Sequence, residues 1–240
     1  MLRLSVVIPM YNEEAVISEN ICTLMHVLDK ALPSEYEVIA VNDGSTDRTL
    51  ETVSALCAHY PALRILSHTP NRGKGGTLKE GMTAAMGRFV LFTDSDLAYG
   101  TAPILAFLER FEQGDVGMLL GSRALCDDGY AGYSRLRCLM SRVYLAFVKT
   151  AAGFRYSDSQ CGIKGFENGA AKRLFGDLET NGFAFDLEIL LAANAEKLPF
   201  CEMPVKVIRH GNSTVHPARD ALRMLRDLRK IKKRQKEKQK

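Results

Sequence analysis

The sequence predicts an α/β fold with a doubly wound, mostly parallel sheet. Three observations predict it. Short apolar runs alternate with segments of helical length. Each run ends in a polar cluster. The helical segments repeat apolar residues at three and four.

The first strand is "LSVVIP" (4–9), and "EEAVISENICTLMHVLDKAL" follows with Val16, Ile17, Ile21, Leu24, Met25 and Leu28 on one helical face. "YEVIAV" (36–41) is the second strand; "DRTLETVSALCAHY" follows with Leu50, Val53, Leu56 and Cys57. "LRILS" (63–67) and "RFVLFT" (88–93) are the third and fourth, separated by "GTLKEGMTAAMG", a weaker helix because of Gly81. "VGMLLGS" (116–122) fits a further strand. "SRLRCLMSRVYLAFVKTAAGF" (134–154) is an amphipathic helix. Leu136, Leu139, Met140, Val143, Tyr144, Phe147 and Val148 fill one side; Arg135, Arg142 and Lys149 gather on the other. "FDLEILLAANAEKL" (185–198) is a helix, and "FCEMPVKVIR" (200–209) a strand with Pro204 near an edge or bulge. A final helix starts near Pro217. Residues 1–215 form one domain and 216–240 a basic helix and tail.

Composition bounds the class. The chain has 240 residues, 46% hydrophobic and 25% charged, which suits one globular domain with an appendage. No apolar run reaches the ~20 residues that cross a bilayer, and the short N-terminal run is followed at once by acids, unlike a signal peptide. The six cysteines are scattered without CxxC, against a zinc site or a disulfide scaffold; a reducing cytoplasm is expected. The net charge of +4 is uneven: residues 223–240 hold ten Lys/Arg against two acids, leaving 22 against 26 elsewhere. Such a tail meets anionic lipid or nucleic acid, or is solvated.

Ligands of an open α/β sheet bind beyond the carboxyl ends of its strands. Those ends read "PMYNEE", "NDGSTD", "TPNRGKGG" and "TDSDLAYG", and right-handed crossovers place them on one rim. Carboxylates, an aromatic ring, amides and cations together suit a nucleotide. In "DSD", Asp94 and Asp96 project to the same side of an extended chain and repel unless a cation joins them. Mg2+ or Mn2+ bridging to substrate phosphates fits; the alternative is a loop whose aspartates cap a helix at Thr101. "NRGKGG" (71–76) is not a Walker loop, because His68 and Gly75 stand where Gly and Ser/Thr are needed. It remains a glycine-rich helix start with Arg72 and Lys74, suited to an anion or merely a turn.

"SVVIPMYNEE", "VNDGSTDRT", "NRGKGG", "TDSD" and "GSR" (121–123), in this order, resemble the family-2 inverting glycosyltransferases with the GT-A fold. "DSQCGIKGF" (158–166), "GFAFDLEIL" (182–190), "EMPVKVIRHGNST" (202–214) and "RMLRDL" (223–228) are similar to the branch of dolichyl-phosphate glucosyltransferases and polyprenyl-phosphate mannosyltransferases. The resemblance implies a metal-dependent transfer of a hexose, glucose favoured, from UDP-glucose or GDP-mannose to a polyprenyl phosphate. It implies that Asp43, Gly44 and Ser45 form the nucleotide pocket, with Pro9, Tyr11 and Glu13 on its other side. Asp94, Ser95 and Lys74 would face the donor, and Asp94 and Asp96 the metal. Asp186 stands where relatives with hydroxyl acceptors place a base; here it orients the acceptor, holds a cation, or caps a helix.

A lipid phosphate needs no base, since its second pKa of about 6 leaves it largely dianionic. It needs cations: Arg123 first, then Arg135 or Arg137, unless these are surface groups. Ser159 and Gln160 fit a loop at the sugar or phosphate, and Arg209 and His210 a diphosphate contact. Ala98 replaces a Gln that supplies a further metal ligand in mannosyltransferase relatives, and "GNST" replaces the usual "GxSK". Peripheral attachment to the cytoplasmic membrane face is expected through the 134–154 helix and the tail, where Leu222, Met224, Leu225, Leu228 and Ile231 share one side. Nucleic acid is not an expected partner, because no aromatic residues accompany the tail's cations.

Overall fold

The computed structural model describes residues 2–129, 156–182, 184–208, 230–231 and 233–234. The amphipathic 134–154 segment, Arg209, His210 and most of the basic tail lie outside them.

Seven strands form one sheet in the order β3-β2-β1-β4-β6-β5-β7. The strands are β1 (Leu4–Met10), β2 (Tyr36–Asn42), β3 (Leu63–Ser67), β4 (Phe89–Phe92), β5 (Met118–Ser122), β6 (Lys164–Glu167) and β7 (Phe200–Pro204). β1 pairs in parallel with β2 and β4, and β2 with β3. β6 runs antiparallel to both β4 and β5, while β5 and β7 are parallel. All strands but β6 therefore point the same way, and one rim collects their carboxyl ends.

The helices are α1 (Ile17–Ala31), α2 (Thr49–Cys57), α3 (Lys74–Ala84), α4 (Ala102–Glu112), α5 (Asn168–Gly176) and α6 (Phe185–Ala195). The two-residue alternation of the strands divides the core between the faces of the sheet. Leu4, Val6, Ile8 and Met10 pack with α1 and α4 on one face; Val7, Ile39, Val41 and Phe92 pack with α3, α5 and α6 on the other. The central strands are buried on both faces, which is why they read as unbroken apolar runs.

Three expectations are refined. The third helix begins at Lys74, two residues before the predicted "GTLKEGMTAAMG". Gly81 has a packing reason: a Cβ there would stand 2.4 Å from Val7 Cγ1 and 2.8 Å from Val41 Cγ2, so the missing side chain seats α3 on the sheet. β6 and α5 were not predicted, because four residues around a lysine carry no strand periodicity. β7 is an edge strand ending at Pro204, where the absent N–H costs no ladder bond.

The tail departs from expectation at one point. Ile231, expected on a membrane-facing side, is 1% exposed within the core that includes α5 and α6. Arg234 pairs with Glu179 at 2.7 Å and reaches Thr180 Oγ1 at 3.2 Å.

Candidate active site

The loops after β1 and β2 are laced together by reciprocal hydrogen bonds. The Asn12 amide donates to Ser45 Oγ at 3.0 Å, and the Thr46 amide returns to Asn12 Oδ1 at 2.8 Å. The Glu13 amide donates to Thr49 Oγ1 at 2.7 Å, and Arg48 N to Glu14 Oε2 at 2.9 Å. These bonds consume much of the polar content that "VNDGSTDRT" and "YNEE" display in sequence. They leave Tyr11 47% exposed at the rim beside Pro9, with its ring free to meet a planar group.

Asp43 is buried, and its carboxylate is turned toward the loop after β3. Oδ1 accepts from the Arg72 amide at 2.6 Å and faces His68 Nε2 at 2.8 Å; Oδ2 accepts from the Gly73 amide at 2.9 Å. The anion expected at the glycine-rich helix start is thus supplied by the chain itself. Gly44 has φ +68°, and a Cβ there would lie 3.1 Å from the Asn71 amide, so glycine lets these two loops close. The glycines of α3 serve packing as well. A Cβ on Gly75 would stand 2.2 Å from the Thr180 carbonyl oxygen, and the Gly75 amide donates to Asn181 O at 2.8 Å.

The charged centre lies where β4 ends. Lys74, the first residue of α3, forms an ion pair with Asp94. Burial alone would lower its pKa, but the charges of Asp94, Asp186 and Asp96 hold it above the ordinary lysine value. Asp96 is pushed up by burial and then by Asp94, although its Oδ1 accepts from the Ala98 amide at 3.0 Å. Glu13 is also raised, first by burial and further by Asp96 and Asp94, against a hydrogen bond from Ser95 that lowers it. Ser95 is held from below, its carbonyl accepting from Asn20 Nδ2 at 2.9 Å. The backbone passes close under Asp94: a Cβ on Gly162 would sit 2.0 Å from Asp94 Oδ2.

Asp186 is the second residue of α6 and does not cap it, since Ala184 holds the N-cap position; its Oδ1 meets the buried Lys164 Nζ at 2.7 Å. Burial raises its carboxyl, with Lys164 and Lys74 acting to lower it. Lys164 is 1% exposed; it also donates to Cys161 O at 2.7 Å and lies over the Phe92 ring. No role was expected for Lys164; its sequence signal was a single cation inside the apolar "CGIKGF". Among the described residues of this centre, four acids, Glu13, Asp94, Asp96 and Asp186, stand with two lysines, Lys74 and Lys164. That cluster of carboxylates fits a divalent cation. Among the described residues no three acidic, His or Cys side chains form a ready-made cage. Mg2+ and Mn2+ sites commonly use one or two carboxylates and take the rest from phosphate and water, so Asp94 and Asp96 suit that role.

Arg123 differs from expectation. Its guanidinium is buried and bidentate on Asp158, with Nε 2.6 Å from Oδ2 and Nη2 2.9 Å from Oδ1. The hydrogen bonds and charge of Asp158 hold the arginine well above its ordinary range against its own burial. This pair fixes the 156–160 segment to the end of β5, in place of an open cation for the acceptor. Gln160, partly exposed, follows it and donates its amide to Asp158 Oδ1 at 3.1 Å; Ser159 is buried.

The comparisons agree with this architecture. Residues 5–175 match the family described as Glycosyl transferase family 2. Dolichyl-phosphate beta-glucosyltransferase of Drosophila melanogaster is 34% identical over 239 residues, covering 95% of this chain and 73% of that protein. The Dictyostelium discoideum protein of the same name is 32% identical, with 96% and 74% covered. Glucosyl-3-phosphoglycerate synthase from Mycobacterium tuberculosis, solved with uridine diphosphate, aligns with TM-score 0.69 at 20% identity over 96% of this chain and 80% of that one. The same protein is also solved with Mn2+, uridine diphosphate and phosphoglyceric acid, at TM-score 0.68 and 21% identity. These structural likenesses establish the GT-A fold, and with it the rim on which Asp94 and Asp96 sit. The match across residues 5–175 and the identity with curated relatives show that this chain is a glycosyltransferase and belongs to glycosyl transferase family 2.

Proposed function

We propose that this chain moves glucose from UDP-glucose to a polyprenyl phosphate of the dolichyl type, with inversion at the anomeric carbon. The observation that carries the donor half is the gathering of Glu13, Asp94 and Asp96 at the carboxyl rim, with Tyr11 exposed at the end of β1. The acceptor half rests on relatives named dolichyl-phosphate beta-glucosyltransferase that align over almost the whole chain.

Tyr11 and Pro9 offer one wall to the uracil, and the Asp43 loop closes the other side. Asp94 and Asp96 would hold the cation, which when bound offsets charge on the departing diphosphate. Lys74 holds Asp94 in place and adds a cation to the same region. A phosphate oxygen attacks the anomeric carbon from the face opposite the diphosphate, so no proton need be removed from the acceptor. Asp186, tied to Lys164, then orients the acceptor pocket and need not act as a base. Among the described residues no helix is long and apolar enough to cross a membrane. We place the chain peripherally on the cytoplasmic face, where the basic tail would meet anionic lipid.

The test is a panel of nucleotide sugars against short polyprenyl phosphates with Mg2+ or Mn2+. UDP-glucose should be consumed only when lipid phosphate is present, and Asp96→Ala should abolish it. Preferred use of GDP-mannose, or transfer to a sugar hydroxyl, would overturn the assignment.

A further inference from the structure

Lys164 is the first residue of β6, which runs against both its neighbours, so it starts at the rim where they end. It pairs with Phe92 of β4, two residues before Asp94, and with Leu120 of β5, three before Arg123. A lysine is almost never this deeply buried unless its charge is paired. Its Nζ donates to Asp186 Oδ1 and to Cys161 O, both at 2.7 Å. The Asp186 side chain keeps 13% exposure, while Lys164 behind it keeps 1%. Besides Lys164, the charges that act on Asp186 are Lys74 and Asp94, the ion pair at the end of β4. The carboxylate therefore stands beside the charged centre. Among the described residues, cations near this centre pair one to one with aspartates: Lys74 with Asp94, Arg123 with Asp158, Lys164 with Asp186. A phosphate dianion is repelled by a carboxylate left uncompensated there. A sugar hydroxyl is not, and gains a base from one.

We infer that Lys164 fits the pocket to an anionic acceptor: its buried charge cancels that of Asp186, and its hydrogen bond holds that carboxylate in place. This rests on the reading of the acceptor as a lipid phosphate that meets Asp186. Lys164 acts through Asp186, so it is a positioning residue that sets acceptor class. Its removal leaves one uncompensated negative charge beside the acceptor. Uridine diphosphate meets Lys74 and the bound cation instead, so the loss falls on the acceptor and spares the donor.

A double-mutant cycle of Lys164→Met and Asp186→Asn tests this. Rates with UDP-glucose and Mn2+ are measured against a short polyprenyl phosphate at about pH 8, where the lipid phosphate is dianionic. Calorimetry gives the dissociation constant of uridine diphosphate with Mn2+ for each protein. Lys164→Met should raise the acceptor KM by roughly tenfold or more and leave the uridine diphosphate constant within about threefold of the wild type. Asp186→Asn, which leaves a surplus cation, should lower the acceptor KM by about threefold. The double variant, with no charge to cancel, should return to within about threefold of the wild-type KM. A lysine that serves packing alone predicts a double variant no better than Lys164→Met, and that result overturns the inference. Where Lys164→Met does not fold, Asp186→Asn decides: a lower acceptor KM supports the inference, and a raised KM or lost turnover, as expected of a missing base, overturns it. A wild type that binds uridine diphosphate but transfers nothing to lipid phosphate overturns the acceptor reading and this inference together.

Discussion

Asp96 is held with its carboxyl above the ordinary carboxylate range, by burial first and by Asp94 second, and Glu13 is raised by burial and the same neighbours. A carboxyl raised in the fold binds its proton more tightly folded than unfolded. Its contribution to stability therefore falls as pH climbs from about 4 through the raised value. A divalent cation acts in the opposite sense, since it favours the ionised form. Asp96→Asn should then raise the thermal midpoint of the metal-free protein at neutral pH, with the gain shrinking toward acid. The same change should cut transfer by about a hundredfold or more. Scanning fluorimetry at two pH values and a transfer assay check both halves. A variant that is no more stable, or that keeps its activity, contradicts the reading of Asp96 as a buried carboxylate that faces the cation. Glu13, Asp94 and Asp96 were legible in sequence because each follows an apolar strand. The partners of Asp43 and Arg123 were not, because His68 and Asp158 lie far along the chain and no local spacing links them.

At the scale of elements, α3 shows two principles in opposition. Gly→Ala in an open helix gains roughly 0.5–1 kcal/mol from propensity. At Gly75 the new Cβ would stand 2.2 Å from Thr180 O and 2.7 Å from Phe185 Cβ, both parts of packed structure. Overpacking typically costs about 1–3 kcal/mol, so it wins. Gly75→Ala should lower the denaturation midpoint, whereas Gly76→Ala, with its nearest contact at 3.0 Å on the Arg72 side chain, should cost much less. Equal effects at the two positions would show that the contact with the 180–182 loop does not matter. "NRGKGG" by itself suits an anion or a plain turn, because glycine and cation before a helix serve either. The 180–182 loop that fills the space arrives from across the fold and could not be seen locally. The long helices and central strands were legible because burial on one face, or on both, imposes its period on the sequence. The four residues of β6 were too few to show one.

For the whole molecule, the end of the chain returns to the body. Ile231 joins the core beside α5 and α6, and Arg234 pairs with Glu179 in the segment leading to the 180–182 loop at the start of α3. Deleting residues 230–240 should destabilise the protein by about 2 kcal/mol, the scale of burying one isoleucine side chain. Urea unfolding with a constant slope measures it. An unchanged midpoint would mean that the tail serves the membrane alone. The alternation of apolar runs and polar ends, readable in the sequence by itself, determined the α/β class, the parallel strands and the rim that carries the chemistry. This follows because periodicity and chain direction are local properties. Which charge meets which was decided only by the tertiary structure: Asp43 with His68, Lys164 with Asp186, Arg123 with Asp158. Those partners stand on different segments and come within hydrogen-bond reach only when the sheet closes and excludes water around them.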